Sequence, residues 1–127
     1  MDTLANALNV ISVSESKGHS TAHIIPASSL VREVLLVLQK SQYIGEFEFQ
    51  DDGKSGSFVV QLIGRINRCG VVKPRFPAGK GNWEKYEQRY LPAKDVGVLI
   101  VSTSKGILTH TDAKAKNLGG RLLAFVY

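Results

Sequence analysis

Val98-Leu-Ile-Val-Ser102-Thr103-Ser104-Lys105-Gly106-Ile107-Leu108-Thr109-His110 is the stretch whose reading decides the fold. A β-branched and leucine run bounded by Gly97 predicts a buried strand. Three consecutive hydroxyls cannot continue that strand buried on both faces, because each unpaired buried hydroxyl costs free energy. The strand is therefore expected to run out into a loop or edge that faces a polar partner. That partner is either the chain's own backbone, in a hydroxyl-closed turn, or a ligand. A shorter apolar pair, Ile107-Leu108, then resumes, and Gly120-Arg-Leu-Leu-Ala-Phe-Val-Tyr127 reads as the return strand.

Working outward, 127 residues suffice for one modest domain or two very small ones. A hydrophobic share of 43% can fill an interior, and 21% charge is ordinary for a soluble protein. No apolar run reaches bilayer length, so no membrane partner is expected. The N-terminal residues show neither a basic n-region nor a signal-peptide core. The single cysteine, Cys69, rules out an internal disulfide framework and a cysteine-based zinc cluster. These features predict a reducing, cytoplasmic setting. The net charge of +5 is unevenly spread: residues 1–52 carry three basic and seven acidic side chains, a balance of −4, and residues 53–127 carry thirteen and four, a balance of +9. A basic half on a chain of pI about 9.5 suits a polyanion such as nucleic acid, or is merely a basic solvated surface.

Leu4, Leu8 and Ile11 predict a helix over residues 2–12. Ser12 to Thr21 reads as a loop and His23-Ile24-Ile25 as a brief strand ended by Pro26. Ser28 or Ser29 caps a second helix reaching Gln39 or Lys40, with Leu30, Val34 and Leu38 on its buried face. Glu46-Phe-Glu-Phe-Gln50 alternates, as does Ser57-Phe-Val-Val-Gln-Leu62 more weakly, and the Asp51–Gly56 turn between them predicts a β-hairpin. From Gly64 to Trp83 basic residues accumulate without an acidic one and Pro and Gly break the backbone, with one short strand possible at Val71-Val-Lys73. Trp83, Tyr86 and Tyr90 share one face of a short helix that Pro92 ends, and Thr109 or Thr111 caps a further helix over Asp112–Asn117. The expectation is an α+β chain: an α-β-α-β-β domain over 1–64, a basic linker over 65–82, and a mostly antiparallel β domain with short helices over 83–127.

Most catalytic and metal constellations fail on spacing. Ser102 and Ser104 precede His110 and Asp112, yet no Gly-x-Ser-x-Gly elbow is present to expose a nucleophile beside an imidazole. His19, His23 and His110 are scattered and read as surface or turn histidines, not ligands. Ser55-Gly56 and Ser104-Lys-Gly106 are incomplete phosphate loops. The helix after Ser29 shows only Arg32 and Lys40 as basic groups and reads as a core helix, not a DNA-recognition helix. Trp83, Tyr86 and Tyr90 pack on a sheet more readily than they stack on bases. No catalytic residue, metal, cofactor or small-molecule substrate is expected.

What remains is the hydroxyl loop and the basic segment. The shallow minor groove of double-stranded RNA presents 2′-hydroxyls and base edges between flanking phosphates. Ser and Thr hydroxyls both donate and accept, glycine lets backbone approach closely, and lysine or arginine supplies non-specific attraction.

Val101-Ser-Thr-Ser-Lys-Gly-Ile-Leu-Thr109, then Ala113, then Leu118-Gly-Gly-Arg-Leu-Leu-Ala-Phe-Val-Tyr127 closely resemble the C-terminal signature of the ribosomal protein S8 family of the small subunit. The resemblance runs nearly end to end. Asp2-Thr-Leu-Ala-Asn-Ala-Leu8, Tyr43-Ile-Gly-Glu-Phe-Glu-Phe49, Gly64-Arg-Ile-Asn-Arg68, Lys73-Pro-Arg-Phe-Pro77 and the Trp83–Tyr90 segment resemble the archaeal–eukaryotic branch. The resemblance implies a two-domain α+β protein, not an enzyme. It would bind the central domain of 16S-type ribosomal RNA directly, early in subunit assembly, beside neighbouring small-subunit proteins. It also implies that Ser102, Thr103, Ser104, Lys105 and Gly106 form the principal RNA contact. On this basis the three hydroxyls are expected to read shape and base edges, and Lys105, Arg121, Arg65 and Arg75 to hold phosphates. Lys17 and Lys54 would serve a second RNA segment or a protein neighbour. Val13 stands where many members carry asparagine, and Asn117 where glycine is common; asparagine tolerates the left-handed conformation. The rival reading is a general basic nucleic-acid-binding protein, or a translational repressor acting on messenger RNA.

Overall fold

The structure, a computed structural model, describes residues 3–25, 27–51, 53, 56–72, 77–79, 83–92 and 96–127. The chain divides into two compact units, Met1–Cys69 and Gly70–Tyr127.

In the first unit, helix α1 (Thr3–Ser16) buries Leu4, Leu8 and Ile11, the positions expected from their spacing, and Ala7 beside them. It continues one turn past the expected end. Ser16 returns its hydroxyl to the Val13 carbonyl at 2.9 Å, which satisfies inside the helix a residue type that otherwise competes for backbone. The stop comes at Gly18, whose φ of 74° allows its amide to reach Glu15 and the His19 amide to reach Ser14, closing a Schellman motif. Strand β1 (Thr21–Ile24) follows, then α2 (Ser29–Lys40), capped by the Ser28 side chain accepting from the Val31 amide. Strands β2 (Ile44–Gln50) and β3 (Ser57–Leu62) form the expected hairpin. Sheet order is β1-β3-β2, antiparallel throughout. Ala22, Ile24, Ile44, Phe58, Val60 and Leu62 are buried with the apolar faces of α1 and α2, while Thr21, His23, Gln61, Glu46 and Glu48 stay exposed.

Strand β4 (Cys69–Val71) straddles the division between the units, and the second unit continues with β5 (Pro77–Ala78), α3 (Trp83–Tyr90), β6 (Val98–Thr103), β7 (Gly106–Thr109), α4 (His110–Ala115) and β8 (Gly120–Val126). Both β4 and β5 arise within 65–82, the stretch expected to be linker. The sheet runs β4-β8-β6-β7, and β5 also pairs with β8. Strand β8 thus organises the unit, with β6 on one side and the two short strands on the other. The core joins Val72, Trp83, Leu91, Leu99, Val101, Ala113 and Leu122, with Tyr86, Tyr90, Leu108, Leu118, Phe125 and Tyr127 packed against them. Trp83 is 1% exposed and donates its indole N–H to the Leu118 carbonyl at 3.3 Å, so the aromatic face of α3 is core and not a base-stacking platform. Helix α4 begins two residues earlier than expected and ends in another Schellman motif, with Asn117 at φ 55° in place of glycine.

Candidate nucleic-acid interface

The apolar run 98–101 is buried because β6 is central, paired with β7 on one edge and β8 on the other. Its last two residues leave the core, Ser102 exposed and Thr103 half-buried. Ser104 and Lys105 form the two-residue turn, and Gly106 opens β7 at φ 106°, a conformation that favours glycine.

Of the three hydroxyls, one is taken by the chain's own backbone. Thr103 Oγ1 donates to the Gly106 carbonyl at 2.8 Å and accepts from the Lys105 amide at 3.1 Å, so this hydroxyl closes its own turn. Ser102 and Ser104 are exposed, and neither side chain has a hydrogen-bond partner among the described residues. Lys105 is exposed at the tip, without an ion pair among the described residues.

The long-range register completes the surface. Ser102 lies opposite Arg121 on β8, and directly opposed residues project from the same face. Thr103 lies between Gly106 on β7 and Gly120 on β8, so the backbone beside it is bare. A Cβ on Gly120 would collide with the Ser102 carbonyl, which makes glycine a packing requirement there. One end of the second sheet therefore gathers Ser102, Thr103, Ser104, Lys105, Gly106 and Arg121. Arg65 and Lys17 are exposed in the first unit. Burial raises the pKa of Tyr43, and the Arg65 charge partly opposes that shift. Lys54 and Arg75 lie outside the described residues.

Beneath the hairpin is a buried polar anchor that the sequence reading missed. His110 is 5% exposed, not a surface histidine. Its Nδ1 accepts from the Leu99 amide at 3.0 Å, which puts its proton on Nε2, 3.1 Å from a Glu87 carboxylate oxygen. Glu87 also pairs with Lys114. Both imidazole nitrogens are thus engaged below the sheet, away from any role in activating Ser102 or Ser104. Thr109 caps α4 by accepting from the Asp112 amide at 3.2 Å, so β7 runs straight into a fixed helix. The Thr109-x-x-Asp112 spacing, close to a capping box, was the available signal.

Among the described residues no cluster of His, Cys, Asp or Glu could hold a metal ion, and no helix is long and apolar enough to cross a membrane. Hydroxyls, cations and bare backbone at a sheet end are groups that can meet the 2′-hydroxyls, base edges and phosphates of an RNA minor groove. The family model described as Ribosomal protein S8 matches residues 2–127, and the chain belongs to that family. It is accordingly a structural constituent of the small ribosomal subunit that binds ribosomal RNA and serves translation, not an enzyme, and its place is the cytoplasmic ribosome.

Proposed function

We propose that this chain binds the central domain of 16S-type ribosomal RNA directly, early in small-subunit assembly, and that the β6–β7 hairpin carries the contact. The observation that supports this reading most is the pair of exposed hydroxyls, Ser102 and Ser104, without partners among the described residues, beside Lys105 and Arg121 on bare glycine backbone. Ser102 and Ser104 read 2′-hydroxyls and base edges in a distorted minor groove, and Thr103 holds the turn in shape for them. Lys105, Arg121, Arg65 and Arg75 hold phosphates. The acidic N-terminal half meets neighbouring small-subunit proteins, with Lys17 and Lys54 offered to a second RNA segment. The sequence resemblance favours the archaeal–eukaryotic branch.

The test is a titration against a ribosomal RNA helix interrupted by an irregular internal loop, beside an uninterrupted duplex of the same length, at two salt concentrations. A preference of about a hundredfold, or about 2.7 kcal/mol, that persists at the higher salt is the expected result. Equal and steeply salt-dependent affinities would instead mark a general basic nucleic-acid-binding protein, and the hairpin assignment would fall.

A further inference from the structure

The first unit has a groove of about 380 Å³ at the start of α2, against the β2–β3 hairpin, lined by Ala27, Ser28, Ser29, Arg32, Phe49 and Phe58. We infer that this groove takes one unpaired nucleotide of RNA, with its base against Phe49 and its phosphate at Arg32. The inference rests on RNA binding by the family and not on the hairpin assignment.

The first observation is Phe49. It is 59% exposed near the end of an edge strand, where a phenylalanine gains little from burial. Its ring is not free to fold away. It lies against Gly56, where an added Cβ would strike it, and meets the Phe58 ring nearly edge-on, with centroids 5.9 Å apart at 65°. Phe58 is 3% exposed and forms the fixed floor. The result is a propped aromatic surface facing a small opening.

The second observation is the charge around that opening. Among the described residues that line the groove, Arg32 is the one charged group and none is a carboxylate. Its neighbour Glu33 stands 3.9 Å away, with the two side chains 60% and 50% exposed; a pair so long and so solvated is weak and leaves the guanidinium available. Ser28 is spent on capping the helix, whereas the exposed Ser29 offers a hydroxyl at the rim.

Charge and size select the occupant. A basic peptide would meet Arg32 as a like charge, and a neutral apolar peptide would leave it unused. A nucleotide uses both the π-face and the cation, the combination by which single strands are held. The volume sits at the small end of ligand sites, enough for a base and too little for a duplex. Because residues 1–52 carry a balance of −4, general attraction for RNA is weak there. Stacking must supply most of the affinity, and the salt dependence should be that of about one phosphate.

The experiment uses the full chain with hexaadenylate as probe, followed by amide chemical shifts and by anisotropy of labelled RNA. Hexaadenylate should move the amides of Ala27, Ser29 and Arg32. Phe49→Leu should weaken hexaadenylate binding at least fivefold, the lower end for losing a stacked base. Arg32→Gln should weaken it and flatten the log K against log salt slope by about 0.7. Ser104→Ala should leave hexaadenylate affinity unchanged while weakening the interrupted helix, which separates failure here from failure of the hairpin reading. Thermal melts confirm that the variants remain folded. Parent-like binding by both Phe49→Leu and Arg32→Gln overturns the inference. So do shifts confined to residues 102–106, or movement of the groove amides by a capped trileucine peptide and not by RNA.

Discussion

The two hairpins, β2–β3 in the first unit and β6–β7 in the second, put their central strands to opposite uses. Strand β3 is buried from its first residue: Ser57 is 7% exposed and Phe58 3%. Strand β6 is buried over Leu99, Ile100 and Val101 and then surfaces at Ser102. Each strand lies between two partners in its sheet, so backbone pairing does not separate them. Side-chain chemistry at the turn end does. Where Phe58 sits there, the central strand is core from its first residues; where hydroxyls sit there, the strand end is displayed and something beneath must hold it rigid. His110, Glu87 and the Thr109 cap supply that support in the second unit.

The largest effect should come from forcing the first hairpin to resemble the second. Phe58→Ala removes a buried ring, and chemical denaturation should show a loss of about 3–5 kcal/mol. Ser102→Ala, on the exposed tip, should change stability by less than about 0.5 kcal/mol.

Alkali offers a second separation, because its target lies in the first unit. Burial, with the Glu15 charge adding to it, pushes the Cys69 thiol from its ordinary 9.0 up to about 12, and its Sγ donates to the Leu8 carbonyl at 3.4 Å. The unfolded chain loses that proton near its ordinary value while the folded chain keeps it. The stabilisation is therefore complete below pH 9.0 and is lost as pH climbs toward about 12. Melting followed across that window should show a fall of up to about 1.4 kcal/mol per pH unit that Cys69→Ala lacks.

Smaller effects probe the glycines and the tip. Gly120→Ala forces a methyl into the Ser102 carbonyl and should cost about 2 kcal/mol, with a loss of affinity for the interrupted RNA helix. Gly53→Ala, in the other hairpin, meets nothing within 4 Å among the described residues and should cost only about 1 kcal/mol for its φ of 80°. Ser104→Ala should weaken cognate RNA by about 1 kcal/mol with unchanged salt dependence. Lys105→Ala should instead lower the slope of log K against log salt by about 0.9.

Sequence periodicity was enough to place α2, the β2–β3 hairpin and strands β6 and β8, because burial imposes a visible pattern on elements of that length. It failed where local chemistry and distant partners decide. Ser12 to Ser16 look like a loop by composition, yet they remain helical until Gly18 ends the turn. Strands β4 and β5 have three and two residues, too few to show alternation, and their partner β8 lies some forty to fifty positions away. For the site, the hydroxyl run announced itself, but its split did not, since Thr103 and its neighbours offer the same atoms in the sequence. Nor was Arg121 assignable to Ser102. A bulge between Ile100 and Val101 shifts the register, and alternation carries no trace of it.

One feature of the second sheet bears on how the protein comes into being. Strand β8 joins β6 to β4 and β5, and it is synthesised after all of them. The first unit has every strand and helix of its sheet in hand by residue 62, so it can fold while the rest is still being made. The hairpin of the second unit meanwhile lacks Gly120 and Arg121 and has no neighbour along one edge of β6. The proposed contact surface is finished only once β8 has emerged, so a nascent chain that stops short of residue 120 lacks the Gly120 and Arg121 edge of it.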